Sequence, residues 1–263
     1  MAYEFIKYEQ DGPVVTITLN RPERMNAIHH YTSAELSDAW HTFRDDDSAW
    51  IGVLTGAGDR AFSAGNDLKF QAETVAEKGV MRFPPVRGGF GGMTGDFECW
   101  KPMIAAVNGF ALGGGLELAL ACDIIIASEN AKLGLPEPTV GLIAGAGGVH
   151  RLPRQIPYHI AMGFMFTAKH VSAAEAHRWG LVNEVVPQDE LMDAVKRWTD
   201  AILKCSPLAI RATKEAVNRG RDMREEVATA HNFPAAAAMA YSEDFIEGPL
   251  AFAEKRPPQW KGR

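Results

Sequence analysis

Two glutamates stand where a carboxylate can transfer protons. Glu117 follows three consecutive glycines, residues 113–115, and lies in a run of helix formers at residues 116–121. Glycines at such a junction indicate that another group approaches the backbone closely. The first N–H groups of a helix lack intrahelical acceptors and lie at the positive end of its dipole, so Gly114 can aim an N–H at developing negative charge. Glu137, twenty positions after Glu117, adds a second carboxylate. The sequence therefore predicts an acid–base site.

These segments resemble the crotonase (enoyl-CoA hydratase/isomerase) superfamily. The resemblance lies in residues 107–123, in Leu-Pro-Glu at residues 135–137 and in Gly-Ala-Gly-Gly at residues 145–148. Upstream, Ala-Phe-Ser-Ala-Gly-Asn-Asp-Leu at residues 61–68 is similar to the other signature of that family. The two motifs have the order and separation typical of the family, and the likeness extends over nearly the whole chain.

The resemblance implies an α/β fold, a crotonase-like ββα spiral core with a helical C-terminal trimerisation region. The expected division is residues 1–200 for the core, which carries the catalytic and CoA sites, and residues 201–263 for the helical region. The residue pattern agrees with this expectation, because β-branched runs at residues 14–19 and 50–55 predict strands, whereas the last third of the chain has mostly helical periodicity. Alternating strand–turn–helix units separated by glycine are typical of one α/β domain.

By resemblance, the backbone N–H groups of Ala64 and Gly114 form an oxyanion hole. Glu117 acts as the base on water and Glu137 as the acid toward Cα, although the two can share these tasks. Family members that only isomerise or decarboxylate often lack one acid, so the presence of both favours a hydratase or dehydratase. The alternative for Glu117 is a residue placed in the first turn to complement the helix dipole, and Glu137 can be a solvated loop acid.

The resemblance also implies a coenzyme A thioester substrate. The CoA moiety is part of the substrate, and we expect neither a further cofactor nor a metal, since the eight histidines show no ligand spacing. A homotrimer or homohexamer is the expected assembly. The residues expected to contact substrate or CoA are Met25, Ala27, Ala64, Gly65, Asn66, Asp67, Leu68, Gly114, Phe252 and Lys255.

The acyl group is less well defined by the sequence. Residues 242–263 are most similar to the carnitinyl-CoA (crotonobetainyl-CoA) dehydratase branch of the family, and an isomerase, a thioesterase or a catalytically silent CoA-binding protein remain alternatives. We expect the wall of the acyl pocket in residues 73–97. The mixed, charged composition of residues 73–87 and the glycines of residues 88–92 predict a mobile loop there.

Other functions are disfavoured by motif context and by charge. Gly56 to Ala61 fits the dinucleotide fingerprint G-x-G-x-x-G/A, but that site needs a helix starting within the glycines, and turn-forming residues 62–67 follow instead. A net charge of −6 and a pI near 5.8 argue against nucleic-acid binding. No apolar run approaches the roughly 18 residues of a membrane span. Three widely spaced cysteines fit a reducing compartment, so we expect a cytoplasmic protein.

Four local predictions concern scaffold. Thr32 and Glu35 form a capping-box pattern, which predicts a helix starting there. Residues 158–167 and 225–241 each have helical periodicity, and Ser172 is expected to cap a short helix. His29 and His30 are interpreted as packing or surface residues.

Overall fold

The computed structural model describes residues 3–79 and 83–263. The chain divides into two compact units. The first unit comprises the residues up to Phe97 together with Met103–Val195, and the second comprises Glu98–Pro102 and Lys196–Arg263. Each unit is described by itself below.

The strands all belong to the first unit. In chain order they are β1 (Ile6–Asp11), β2 (Val14–Leu19), β3 (Ile51–Gly56), β4 (Ala61–Ser63), β5 (Met103–Val107), β6 (Phe110–Leu112), β7 (Ile124–Ser128), β8 (Lys132–Gly134), β9 (Val171–Ser172) and β10 (Glu184–Val186). A six-stranded sheet has the order β1-β2-β3-β5-β7-β10, and a four-stranded sheet has the order β4-β6-β8-β9. Apart from the antiparallel pairs β1–β2 and β8–β9, the pairing is parallel.

The chain alternates between the two sheets. β3, β5 and β7 join the larger sheet, and the short strand after each of them joins the smaller one. Every residue of β3 and β5 is buried, as expected for central strands of a parallel sheet that is covered on both faces. This repetition of strand pairs confirms the predicted ββα spiral core and brings the carboxyl ends of successive units together.

The helices of the described residues range in length from six to sixteen residues. They are α1 (His30–Asp45), α2 (Leu68–Lys78), α3 (Gly114–Ala121), α4 (Gly148–Gln155), α5 (Tyr158–Thr167), α6 (Ala173–Arg178), α7 (Leu191–Leu203), α8 (Pro207–Gly220), α9 (Glu225–Ala230), α10 (Pro234–Ala240) and α11 (Glu243–Glu254). Short 3₁₀ turns lie at Pro22–Arg24, Phe90–Gly92, Glu137–Val140 and Gln188–Glu190. The predictions of α5 and of the Ser172 cap, whose hydroxyl accepts from the Glu175 N–H, are confirmed.

Gly56 and Gly58, which fit the dinucleotide fingerprint, are hydrogen-bonded within the protein. Asn108 Nδ2 donates to the carbonyls of Gly56 at 2.8 Å and Gly58 at 2.7 Å, and its Oδ1 accepts from the Gly56 N–H. The chain then enters β4 at Ala61 rather than a helix. No helix N-terminus therefore lies within this motif, and the loop is organised around an internal asparagine.

The predicted capping box at Thr32 is wrong. α1 begins at His30, and the imidazole Nδ1 of His29 accepts from the Thr32 N–H at 3.0 Å. Glu35 instead accepts from the backbone N–H groups of Glu4 at 2.9 Å and Phe5 at 2.8 Å, where the chain leads into β1. The Glu35 carboxylate therefore binds backbone groups distant in the sequence instead of forming a local capping box.

Part of the region predicted as a mobile loop is helical, and another part packs closely on α1. α2 extends to Lys78, and its N-cap Asp67 accepts from the Phe70 N–H. A Cβ on Gly92 would lie 2.2 Å from Cα of Ser37, and the Gly91 N–H donates to Ser33 Oγ. The glycines here permit contact with α1. Residues 80–82 of the predicted loop lie outside the described residues.

The second unit is helical. Asp244 connects its end to its start, because its carboxylate accepts from the Lys261 N–H at 2.7 Å and from Ser206 Oγ at 3.2 Å. The prediction of one helix over residues 225–241 is wrong. α9 ends at Ala230, and a new helix starts at Pro234, whose missing N–H is tolerated only in a first turn.

Candidate active site

Three glycines at the start of α3 allow two other segments to contact its N-terminus. A Cβ on Gly115 would lie 2.2 Å from the Ser63 carbonyl oxygen, and one on Gly114 would lie 2.5 Å from the Phe90 ring. Gly113, with φ at 53°, donates its N–H to Gly134 at 2.9 Å. As the first residue of α3, Gly114 has no intrahelical acceptor, and none is found for its N–H within the described residues. This N–H is available to an external oxygen.

The structure corrects the assignment of the second oxyanion donor. The Ala64 N–H donates to the Met25 carbonyl at 2.9 Å and is therefore already used. Two residues later, the Asn66 N–H has no acceptor in the part of the chain that the structure describes. A Cβ on the intervening Gly65 would lie 2.8 Å from the Gly114 nitrogen, so this turn packs directly on the α3 N-terminus. The geometry favours Asn66, not Ala64, as the partner of Gly114.

Glu117 is almost completely buried in the first turn of α3, at 3% exposure. Its Oε1 accepts from the Gly148 N–H at 2.8 Å. Burial raises the pKa of Glu117 to about 7, a shift that the Gly148 N–H reduces and the negative charge of Glu137 increases. The carboxyl group is thus poised to exchange a proton near neutral pH.

Glu137 lies over the same helix terminus. It opens the 3₁₀ turn Glu137–Val140 after β8, and a Cβ on Gly113 would lie 3.0 Å from its Oε1. Its Oε2 is buried and has no hydrogen-bond partner within the described residues. Burial raises the pKa of Glu137 as well, which favours the protonated form. A buried, unpartnered carboxyl oxygen is suited to bind a ligand group.

The segments expected to hold CoA are joined to each other. Arg21 forms an ion pair with Asp67 at 2.9 Å, and both side chains are largely buried. Asn26 Nδ2 donates to the Ala61 carbonyl at 2.7 Å. Met25 and Asn26 both have positive φ, 54° and 53°, a conformation that few residues other than glycine adopt. Ala27 and Leu68 lie in the same two segments.

Phe252 and Lys255 belong to the second unit. Phe252 is 88% exposed on α11, and Lys255 ends that helix with φ at 54°. Their contact with CoA stays a prediction.

A cavity of about 340 Å³ borders Asn66 and Phe90. His30 stacks on Phe83 with ring centroids 4.4 Å apart, and Phe70 lies 5.9 Å from Phe83. The described residues that line the cavity include no lysine or arginine. The full lining is Ile28, His29, His30, Ser33, Asn66, Asp67, Phe70, Gln71, Phe83, Pro85, Val86, Gly89 and Phe90. An aromatic, largely apolar wall therefore lies beside the candidate oxyanion hole.

Within the described residues, no group of three or more His, Cys, Asp or Glu side chains is placed to hold a metal ion. In the same part of the chain, every helix is too short or too polar to cross a bilayer. His29 serves the packing role that was expected of it. Its ring caps α1 and contacts Phe5 edge-on at 4.5 Å, and burial, together with the Arg21 charge, lowers its pKa.

The fold and the paired glutamates define an enzyme-like site in a crotonase-type spiral. Residues 9–263 match the enoyl-CoA hydratase/isomerase family model, and the chain belongs to that family. It is 44% identical over 266 residues to carnitinyl-CoA dehydratase of Salmonella arizonae, covering 98% of this chain and 99% of the relative. The corresponding Escherichia coli protein is 45% identical over 267 residues, with 99% of each chain covered.

Solved structures of enoyl-CoA hydratases are also similar to this chain over nearly its full length. The crystal structure of enoyl-CoA hydratase from Mycobacterium tuberculosis has a TM-score of 0.90 and 37% identity, covering 98% of this chain and 99% of that one. The enoyl-CoA hydratase structure from Mycobacterium marinum has a TM-score of 0.90 and 39% identity, with the same coverage.

Proposed function

We propose that the protein is a hydro-lyase that reversibly adds water across the double bond of a trans-2-enoyl-CoA thioester. The observation that carries this proposal is the convergence of Glu117 and Glu137 on the N-terminus of α3, beside the available N–H groups of Asn66 and Gly114. Addition of water needs one group to remove a proton, one to deliver a proton and donors for the thioester oxygen. The four residues match these requirements.

In the proposed reaction, the water oxygen bonds to Cβ while the water proton passes to Glu117. The electron pair of the double bond moves through Cα onto the thioester oxygen, where the Asn66 and Gly114 N–H groups stabilise the charge. Glu137 then delivers a proton to Cα, which completes hydration. Dehydration is the reverse sequence.

The surroundings of the two acids differ in their hydrogen bonds. The N–H of Gly148 stabilises the ionised form of Glu117, which suits a base, whereas Oε2 of Glu137 has no partner among the described residues and is available to a ligand group. Burial raises the pKa of both carboxyls, to about 7 for Glu117, so burial alone does not separate the acid from the base. Because the two carboxyls interact, their titration belongs to the pair rather than to either residue.

The remaining assignments complete the proposal. In this proposal the backbone around Met25, Ala27 and residues 64–68 holds CoA, and the predicted contribution of Phe252 and Lys255 rests on the resemblance of their segment to the family. The reaction uses no metal and no nicotinamide, since the two acids and the two N–H groups supply the required chemistry. A homotrimer or homohexamer in the cytoplasm is the proposed form of the protein, and the exposed apolar residues of α11 support assembly.

A carnitinyl-CoA substrate is the second candidate. The 44–45% identical relatives named carnitinyl-CoA dehydratase support it over the full length of the chain. The aromatic cavity wall, whose described residues include no basic side chain, also supports it, since aromatic rings attract quaternary ammonium groups.

Turnover of CoA thioesters tests both candidates. Hydration is followed for crotonyl-CoA, for crotonobetainyl-CoA and for the neutral isostere in which carbon replaces the ammonium nitrogen. The general proposal predicts the 3-hydroxyacyl-CoA product from at least one of them, identified by mass spectrometry and unaffected by EDTA. Double-bond migration, release of free CoA, or CoA binding without turnover would instead indicate an isomerase, a thioesterase or a silent binding protein. A kcat/KM for crotonobetainyl-CoA no higher than for its isostere would contradict the second candidate.

A further inference from the structure

Arg151, in the first turns of α4, joins two loops at the candidate site. Its Nη2 donates to the Thr94 carbonyl at 3.0 Å, and its Nη1 donates to the Ala146 carbonyl at 3.2 Å. The side chain is partly buried, so these bonds have little competition from water. A planar guanidinium can reach two carbonyl groups at once with fixed geometry, and a lysine ammonium cannot reproduce that fork.

Each of the two loops contacts a residue to which the proposed reaction assigns a role. Thr94 Oγ1 donates to the Phe90 carbonyl at 2.9 Å, and the Phe90 ring lies against Gly114. Ala146 is followed by Gly147 and by Gly148, whose N–H donates to Glu117. A Cβ on Gly147 would lie 1.9 Å from Nη1 of Arg151, so the glycine there leaves the room that the guanidinium occupies.

Charge adds to this geometry. The groups that act electrostatically on Glu117 are Glu137, which disfavours its ionisation, and Arg151, which favours it, together with the N–H groups of Gly148 and Ala146. Glu117 and Cys122 are the groups that act in turn on Arg151. Arg151 is thus the positive side chain that offsets burial and the like charge of Glu137.

We propose that Arg151 is a positioning residue for water addition: its fork fixes the loop that presents Gly148 to Glu117, and its charge favours the ionised Glu117 carboxylate. This inference rests on the proposed function. Glu117 must be ionised to accept the water proton, so loss of Arg151 raises the lowest pH at which the enzyme works well.

The test is the pH profile of kcat for hydration in four variants. Arg151→Gln and Arg151→Met remove the charge, and either can be used if the other does not fold. Arg151→Lys keeps the charge but loses the fork. Arg154→Gln, one turn further along α4, is the matched control, because Arg154 is exposed and bonds only the His150 carbonyl of its own helix among the described residues.

For the neutral variants, the acid limb of the profile is expected to move to higher pH, as for loss of an opposite charge near a carboxylate. The activity lost at pH 6.5 is then partly recovered at pH 8.5. Arg151→Lys is expected to lower kcat at every pH while the limb moves by less than half as much. Arg154→Gln is expected to leave both kcat and the position of the acid limb unchanged.

A uniform loss of kcat in the neutral variants, with the acid limb unmoved, would overturn the inference, as would an equal movement of the limb in Arg151→Lys. Titration of the Glu117 carboxyl by ¹³C NMR provides a readout that does not depend on turnover. If the wild-type protein hydrates no enoyl-CoA, the proposed function fails. An unchanged Glu117 titration in Arg151→Gln or Arg151→Met would then separately overturn the role of Arg151.

Discussion

The N–H of Gly148 donates a hydrogen bond to Oε1 of Glu117 at 2.8 Å and connects the start of α4 to the first turn of α3. The bond satisfies one oxygen of an acid that is only 3% exposed. The bond does not fully offset the cost of burying the ionised carboxylate, because the pKa of Glu117 is still raised to about 7. Ionised Glu117 therefore costs stability, as expected for an acid kept for chemistry rather than for folding.

The first prediction is that Glu117→Gln stabilises the protein at alkaline pH. In the folded state the pKa is about 7, above its ordinary value of 4.5, so the folded protein binds more protons than the unfolded chain between these values. Wild-type stability is then complete below pH 4.5, declines as the pH rises toward 7 and stays reduced above it. Glutamine imitates the protonated acid, and the variant should gain on the order of 3 kcal/mol at pH 8.

Denaturant unfolding at pH 5 and pH 8 measures this effect. The exposed Glu129→Gln serves as the control and is expected to change stability by less than about 0.5 kcal/mol at either pH. A Glu117→Gln variant less stable than wild type at pH 8 would show that ionised Glu117 supports the fold instead.

The second prediction separates the two candidate oxyanion donors. Asn66→Pro removes the backbone N–H at position 66, whereas Asn66→Ala keeps it and removes only the side chain. Loss of one such donor typically lowers kcat by on the order of 10²- to 10³-fold, so the proline variant should show this loss and the alanine variant should stay within about threefold. Circular dichroism and CoA calorimetry verify that both variants fold. Full activity in Asn66→Pro would exclude its N–H from the reaction.

Much of the site could be predicted because its signals are local. The glycines at the start of α3 and both acids lie in short segments with recognisable patterns. The helix Tyr158–Thr167 was equally evident from its periodicity. Glu117 and Glu137 lie close to the same turn because the spiral brings the ends of successive strand pairs together.

Other features depended on tertiary contacts that the sequence does not reveal. Ala64 and Asn66 lie in one motif, and only the bond from the Ala64 N–H to Met25 distinguishes them. Glu35 does not form the predicted local cap, because its carboxylate accepts hydrogen bonds from backbone N–H groups near β1. The composition of residues 88–92 also did not reveal their close packing, which the glycines there permit.

The third prediction concerns the ion pair between Arg21 and Asp67. Arg21 Nη1 also donates to the Ala27 carbonyl, so Arg21 connects the two segments expected to hold CoA. Asp67→Asn leaves a largely buried arginine without its carboxylate, a change that typically costs about 3–5 kcal/mol. We expect this loss of stability and at least a tenfold weaker binding of CoA by calorimetry. The control is Asp200→Asn in the exposed pair with Lys196, which should cost at most about 1 kcal/mol. Unchanged stability and affinity in Asp67→Asn would contradict this role.

The fourth prediction concerns assembly. On α11, Phe245, Ile246, Leu250 and Phe252 are exposed, the last to 88%. Apolar side chains clustered on one helix are typical of a contact surface. Light scattering of the full chain should give a trimer or hexamer, and truncation after Gly248 should reduce both assembly and CoA affinity. A fully active monomer would exclude the proposed assembly.

The central claim, that Glu117 and Glu137 form an acid–base pair, is tested most directly by the kcat of crotonyl-CoA hydration in Glu117→Gln and Glu137→Gln. Glutamine keeps the volume of each side chain and removes its proton transfer. We predict a loss of roughly 10²- to 10⁴-fold in each variant, with substrate affinity little changed. The double variant should lose less than the product of the two losses. Near-normal kcat in either folded variant would contradict the account.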